Sequence, residues 1–134
     1  MKLVIDTNVL VSALSSRSVF HWIIQDLIAE KFEIATSHEV LLEYEEILKK
    51  KYDVQTAENF LRALQELPNV QLSEIYFQWK LLADPDDNKF VDLAISANAD
   101  YLLSEDNDFN LLQSIDFPKV TVLKIDNFRK ILYP

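Results

Sequence analysis

Hydrophobic positions along the chain alternate between short runs and helical stripes. Lys2 to Asp6 holds three consecutive apolar residues, Leu3-Val4-Ile5, between polar ends, the mark of a buried strand. Val9 to Leu14 has no breaker and opens a helix that Ser15-Ser16 end or bend. Phe20, Ile23, Ile24, Leu27 and Ile28 then recur at helical spacing, and Phe32 to Ala35 reads as a second strand. Thr36 with Glu39 three residues on reads as a capping box for a helix through Val40, Leu41, Tyr44, Ile47 and Leu48. Another helix carries Phe60, Leu61, Leu64 and Leu67 and stops at Pro68. Val70 to Leu72 predicts a third strand. Asp84-Pro85-Asp86-Asp87 is turn chemistry before a helix from Asn88 to Asn98. Tyr101 to Leu103 is a strand, Phe109 to Ser114 a helical turn or two, and Val120 to Leu123 the last strand. Asp126 is the expected cap of a terminal helix whose apolar face is Phe128, Ile131 and Leu132. Strands alternating with helices imply right-handed crossovers and an α/β fold, its parallel sheet covered on both faces.

Composition narrows the chemistry. A chain of 134 residues, 49% hydrophobic, suits a single domain over 1–134 with one core. No apolar run is long enough for a bilayer, and the N-terminus enters a strand without a signal-peptide pattern, so a cytoplasmic location is expected. Absence of cysteine excludes a disulfide framework and a thiolate zinc site. Absence of glycine excludes the dinucleotide fingerprint and the Walker loop, so no nucleotide cofactor is expected. Thirteen basic against 22 acidic residues give a net charge of −9, which argues against a nonspecific DNA coat or a membrane-surface protein. The basic clusters Lys49-Lys50-Lys51 and Arg129-Lys130 read as solvated helix ends.

The acids are more informative than their number. Asp6 ends the first strand, Glu43 sits one turn into the helix after the second, Asp87 begins the helix before the fourth, and Asp106 follows the fourth. If these strands lie in one parallel sheet, all four reach its carboxyl edge, where open α/β sheets place ligands. Each also has an ordinary reading. Asp6 could cap a helix, Glu43 could belong to a solvated face with Glu39 and Glu46, Asp86 or Asp87 could be an N-cap, and Asp106 could be loop polarity. Their coincidence of position favours a site. Carboxylates held together repel unless a cation or a shared proton relieves them, which asks for a hard divalent ion, Mg²⁺ or Mn²⁺.

Four pieces carry a family resemblance: Asp6-Thr7-Asn8; Thr36-Ser37 leading to Leu42-Glu43-Tyr44; Asp84-Pro85-Asp86-Asp87-Asn88-Lys89 with Ala94; and Ala99-Asp100-Tyr101-Leu102-Leu103-Ser104-Glu105-Asp106. In this order and spacing, over essentially the whole chain, they resemble the PIN domain, and within it the bacterial and archaeal branch of toxin–antitoxin toxins. The resemblance implies a three-layer α/β/α, Rossmann-like, flavodoxin-type fold and a metal-dependent ribonuclease. It puts the family's four acids on Asp6, Glu43, Asp87 and Asp106 as metal-holding catalytic residues. Asn8 and Ser104 become supporting residues, and Asp86 competes for the third position. Partners implied are RNA and an antitoxin protein.

Divalent ions of this kind activate water and stabilise the leaving oxygen of a phosphodiester. His21, beside Trp22 on a helix, and His38, in the capping box, read as packing or surface residues. A haloacid-dehalogenase-type phosphatase needs an Asp where Asn8 stands. A receiver domain could use Lys124 but has no phospho-accepting Asp after Val70 to Leu72. A catalytically inactive binding module on the same fold and a solitary RNA-processing nuclease remain the alternatives. The apolar residues around Trp22 and from Phe60 to Leu67 exceed what one small sheet requires, so a homodimer is expected.

Overall fold

The computed structural model describes residues 1–134. Five parallel strands, β1 (Lys2–Ile5), β2 (Glu33–Thr36), β3 (Val70–Leu72), β4 (Tyr101–Leu103) and β5 (Val122–Leu123), form one sheet in the order β3-β2-β1-β4-β5. Between them run α1 (Thr7–Leu14), α2 (Trp22–Ile28), α3 (His38–Lys51), α4 (Val54–Glu66), α5 (Pro85–Ser96) and a 3₁₀ segment (Asn107–Ser114), with α6 (Ile125–Leu132) at the end. The chain first winds from β1 outward to β3, then returns through α5 to β4 and β5. Right-handed crossovers therefore place α1 to α4 on one face and α5 on the other, giving the three layers expected. The reversal falls between β1 and β4, which pair from Leu3–Tyr101 to Ile5–Leu103. No helix is long and apolar enough to cross a membrane.

Leu3, Val4, Ile5, Leu102 and Leu103 are wholly buried, as strands covered on both faces require. Fully buried Tyr44 of α3 donates its hydroxyl to the Ile5 carbonyl, tying α3 to the end of β1. Burial and the nearby acids raise the Tyr44 pKa far above its usual value, so the phenol stays protonated as a donor.

Three expected caps lie elsewhere. Thr36 remains in β2 and donates to the Gln71 carbonyl at 3.1 Å, while Ser37 caps α3 by accepting from the Val40 amide at 3.2 Å. No capping box forms, because the shift of one residue moves Glu39 off the third helical position. Asp84, not Asp86 or Asp87, is the N-cap of α5, with Pro85 at the first helical position. Lys124 stands at the N-cap of α6, and Asp126 lies in its first turn.

The surplus around Trp22 is internal. Trp22 stacks on Phe128 at 5.7 Å and lies under Arg129, and Leu61 and Leu64 are buried. These residues complete the core of one chain and supply no argument for a homodimer. The exposed aromatics are instead Tyr76 and Phe77 on the extended segment 73–84, Phe117, and Tyr133 after α6. That segment runs antiparallel along α5, held by Ser96 Oγ to the Glu74 carbonyl at 2.6 Å, the Trp79 amide to Asp92 at 3.0 Å, and Asn88 to both backbone groups of Leu82.

Candidate metal centre at the strand reversal

At the carboxyl edge between β1 and β4 the chain brings Asp6 and Asp106 together around one hydroxyl. Ser104 Oγ donates to Asp6 Oδ2 at 2.8 Å and accepts from the Asp106 amide at 3.0 Å. Asp6 stands at the N-cap of α1 yet makes no capping hydrogen bond with its side chain. Its ordinary structural role is therefore not filled, and only 7% of the residue is exposed. Burial raises its pKa above the usual carboxylate value; Asp106 and Glu43 raise it further, against the lowering effect of Ser104.

Asp106 serves two purposes. Its Oδ1 accepts from the Asp108 amide at 2.9 Å and starts the 3₁₀ segment, a capping role that the reading as loop polarity did not include. Asp87 projects from the first turn of α5. Its pKa is pushed up to about 6, first by desolvation and then by the negative charge of Asp84, Asp106, Asp108 and Asp6. Asp86 is exposed and lies 3.9 Å from Lys89.

Glu43 behaves differently from the three aspartates. It is not a solvated helix residue: one carboxylate oxygen accepts from Thr7 Oγ1 and the other from Lys89 Nζ at 2.8 Å. Both side chains of the ion pair are largely shielded, at 18% and 19% exposure. Thr7 and Lys89 were not identified as site residues in the sequence, because their link to Glu43 spans 36 and 46 residues. Asn8 is exposed at the rim. His21 accepts a packing role through Nδ1 and the Ala13 carbonyl, 2.9 Å apart, and Lys124 is spent on the Glu105 carbonyl and Asn107.

No three acidic or histidine side chains converge at ion-holding distance. The donor set nonetheless fits Mg²⁺ or Mn²⁺. Such ions take carboxylate oxygen, and Mg²⁺ keeps several waters and needs only one or two carboxylates. No lysine or arginine forms an ion pair with Asp6, Asp87 or Asp106, so their mutual repulsion has no internal remedy. Asp6 and Asp106 also line a cavity of about 400 Å³.

This arrangement fixes a pH dependence. Native Asp87 titrates near 6 and its unfolded counterpart near 3.8, so the native state holds the extra proton between those values. Without metal, wild type should melt higher at pH 5 than at pH 7.5, and Asp87→Asn should lose part of that difference. With Mn²⁺ the slope should reverse, because the ion needs the carboxylate. Identical pH–melting curves for wild type and Asp87→Asn without metal would refute the shift.

Comparison with known proteins agrees with the fold. A family model described as PIN domain matches residues 2–108. Among solved structures, VapBC2 from Rickettsia felis bound to a DNA fragment from its promoter is similar, with a TM-score of 0.63 and 19% identity over 92% of this chain and 98% of that one. VapC20 from Mycobacterium tuberculosis, a sarcin–ricin loop cleaving toxin, has a TM-score of 0.61 and 14% identity over 81% of this chain and 92% of that one. No curated protein matches the chain.

Proposed function

The chain belongs to the PIN domain family, and on that premise we propose a divalent-metal-dependent endoribonuclease, one domain over 1–134, that hydrolyses single-stranded RNA as the toxin of a toxin–antitoxin pair. The observation that carries the reading is the Asp6–Ser104–Asp106 connection at the strand reversal, with Asp87 close enough to feel the charge of both. Asp6 and Asp106 would hold Mg²⁺ or Mn²⁺, with Asp87 reaching the ion through water, and the ion when bound would supply charge neutralisation and Lewis acidity at the phosphate. Ser104 orients Asp6 and fixes the Asp106 backbone in the same contact. Glu43, satisfied by Thr7 and Lys89, acts from behind by setting the local negative potential and the position of Thr7, the residue next to Asp6. Glu43 thus stands outside the ion's direct ligands, one of the two places, direct or through water, that the sequence left open for it. Asp86 points to solvent, which favours Asp87 as the third acid.

The likeness to a loop-cleaving toxin and to a promoter-bound VapBC2 supports a nucleic-acid loop as substrate and an antitoxin as partner. An antitoxin Arg or Lys laid between Asp6 and Asp106 would satisfy the same unpaired carboxylates and exclude metal. Purified protein should cleave single-stranded RNA with Mn²⁺ or Mg²⁺, stop on adding EDTA, and resume when the ion is restored. Cleavage that persists after chelation refutes the metal role, and no cleavage under any ion favours the inactive binding module.

A further inference from the structure

The cavity that Asp6 and Asp106 line also carries groups that metal binding does not explain. Its apolar lining is Val9 of α1, Ile125 at the first residue of α6, and Phe20, and its acidic lining is Asp6, Glu105 and Asp106. Val9 and Ile125 are almost wholly buried at 2% exposure each, whereas Phe20 is only partly covered, so the ring is the accessible member. Phe20 is also held in place. Its amide donates to Ser18 Oγ at 3.0 Å, and its carbonyl accepts from the Ile23 amide at 3.0 Å at the start of α2. Asn8 and Ser12 complete the lining.

Asp6, Glu105 and Asp106 make the cavity anionic, so it suits a phosphate only through a bound cation. The same cavity carries an aromatic ring and two aliphatic side chains, and no basic residue lines it. A nucleotide combines the matching features, a charged phosphate and a flat, uncharged base on one sugar. Aromatic rings take unpaired bases by stacking whatever their identity, which suits a single strand whose bases are free. Resting on the nuclease reading above, we propose that the cavity lined by Phe20, Val9 and Ile125 is a nucleobase subsite, which receives a base adjoining the scissile phosphate of single-stranded RNA and thereby sets that phosphate against Asp6 and Asp106. Asn8 and Ser12 supply hydrogen-bonding groups at its edge.

The test uses the full chain and a synthetic single-stranded RNA with one cleavage site, intact or abasic at each nucleotide flanking that site. For wild type, one abasic position should lower kcat/KM by about 10-fold or more, the scale of a lost base–aromatic stack. Phe20→Ala should lower kcat/KM on intact RNA by a similar factor, chiefly through KM, and the abasic substitution should then cost nothing further. Phe20→Trp should keep both the rate and the abasic penalty. Phe20→Leu, which preserves bulk without a ring, should behave as Phe20→Ala. An equal Mn²⁺-induced melting shift in all four proteins would show the fold and metal centre intact. Wild-type kcat/KM in Phe20→Ala, or an abasic penalty that survives unchanged in both Phe20→Ala and Phe20→Leu, overturns the subsite. If wild type cuts no RNA, the nuclease reading fails separately. Fluorescence anisotropy of the same RNAs with Mn²⁺ then tests the cavity, and equal affinity of wild type and Phe20→Ala for intact RNA overturns it.

Discussion

Asp6→Asn should cleave single-stranded RNA about 10³-fold more slowly than wild type, a loss on the scale of removing one main electrostatic contributor to a transition state. Without metal the same variant should be more thermostable. Both results come from one feature. Asp6 is buried, its charge is opposed by desolvation and by Asp106 and Glu43, and no cation in the chain pairs with it. Asparagine keeps the shape and a carbonyl oxygen for Ser104, and it removes the charge. Mn²⁺ at a hundred times its dissociation constant should stabilise wild type by about 2.7 kcal/mol through mass action, and should leave Asp6→Asn nearly unmoved. A variant that melts below wild type without metal would show that the charge is compensated within the fold.

Lys89→Met should separate the two sorts of acid. Removing the ammonium strands Glu43 in a shielded place, which should cost about 2 kcal/mol, below the roughly 3–5 kcal/mol of a fully buried pair. For a chain of this length that is a fall of roughly 7 °C in Tm without metal. The freed Glu43 carboxylate then adds to the negative potential around Asp6, so Mn²⁺ should bind more tightly than in wild type. Opposite signs of the two effects distinguish this pair from an ordinary stabilising salt bridge. Lys89→Arg should retain both wild-type properties, since the charge remains. If Lys89→Met melts as wild type does and binds Mn²⁺ equally, Glu43 is not restrained by Lys89.

The sheet was legible in the sequence because its strands are short apolar runs with clear polar borders, as at Leu3-Val4-Ile5 and Tyr101-Leu102-Leu103. Cap positions were less so. Thr36-Ser37 and Asp84-Pro85-Asp86-Asp87 each offer several capping side chains in a row, and tertiary demands choose among them. Thr36 is drawn into the sheet by Gln71, which leaves the cap to Ser37. The segment 73–84 has no period of its own, since its partners are side chains of α5 that follow it in the chain. The same limit applies at the site. Asp6, Asp87 and Asp106 announce themselves by lying at strand and helix ends. The Thr7–Glu43–Lys89 contacts exist only once α1, α3 and α5 meet, and no local pattern encodes that meeting.

The central claim is that Asp6, Asp106 and Asp87 hold the ion on which cleavage depends, with Glu43 kept behind them. A crystal soaked in Mn²⁺ and measured for anomalous scattering tests it most directly. The account predicts a Mn²⁺ peak in the cleft between Asp6 and Asp106, on the side facing Asp87, while Glu43 still pairs with Lys89. A peak coordinated by Glu43 with Lys89 displaced, or no peak beside Asp6 at a concentration that supports RNA cleavage, would contradict it.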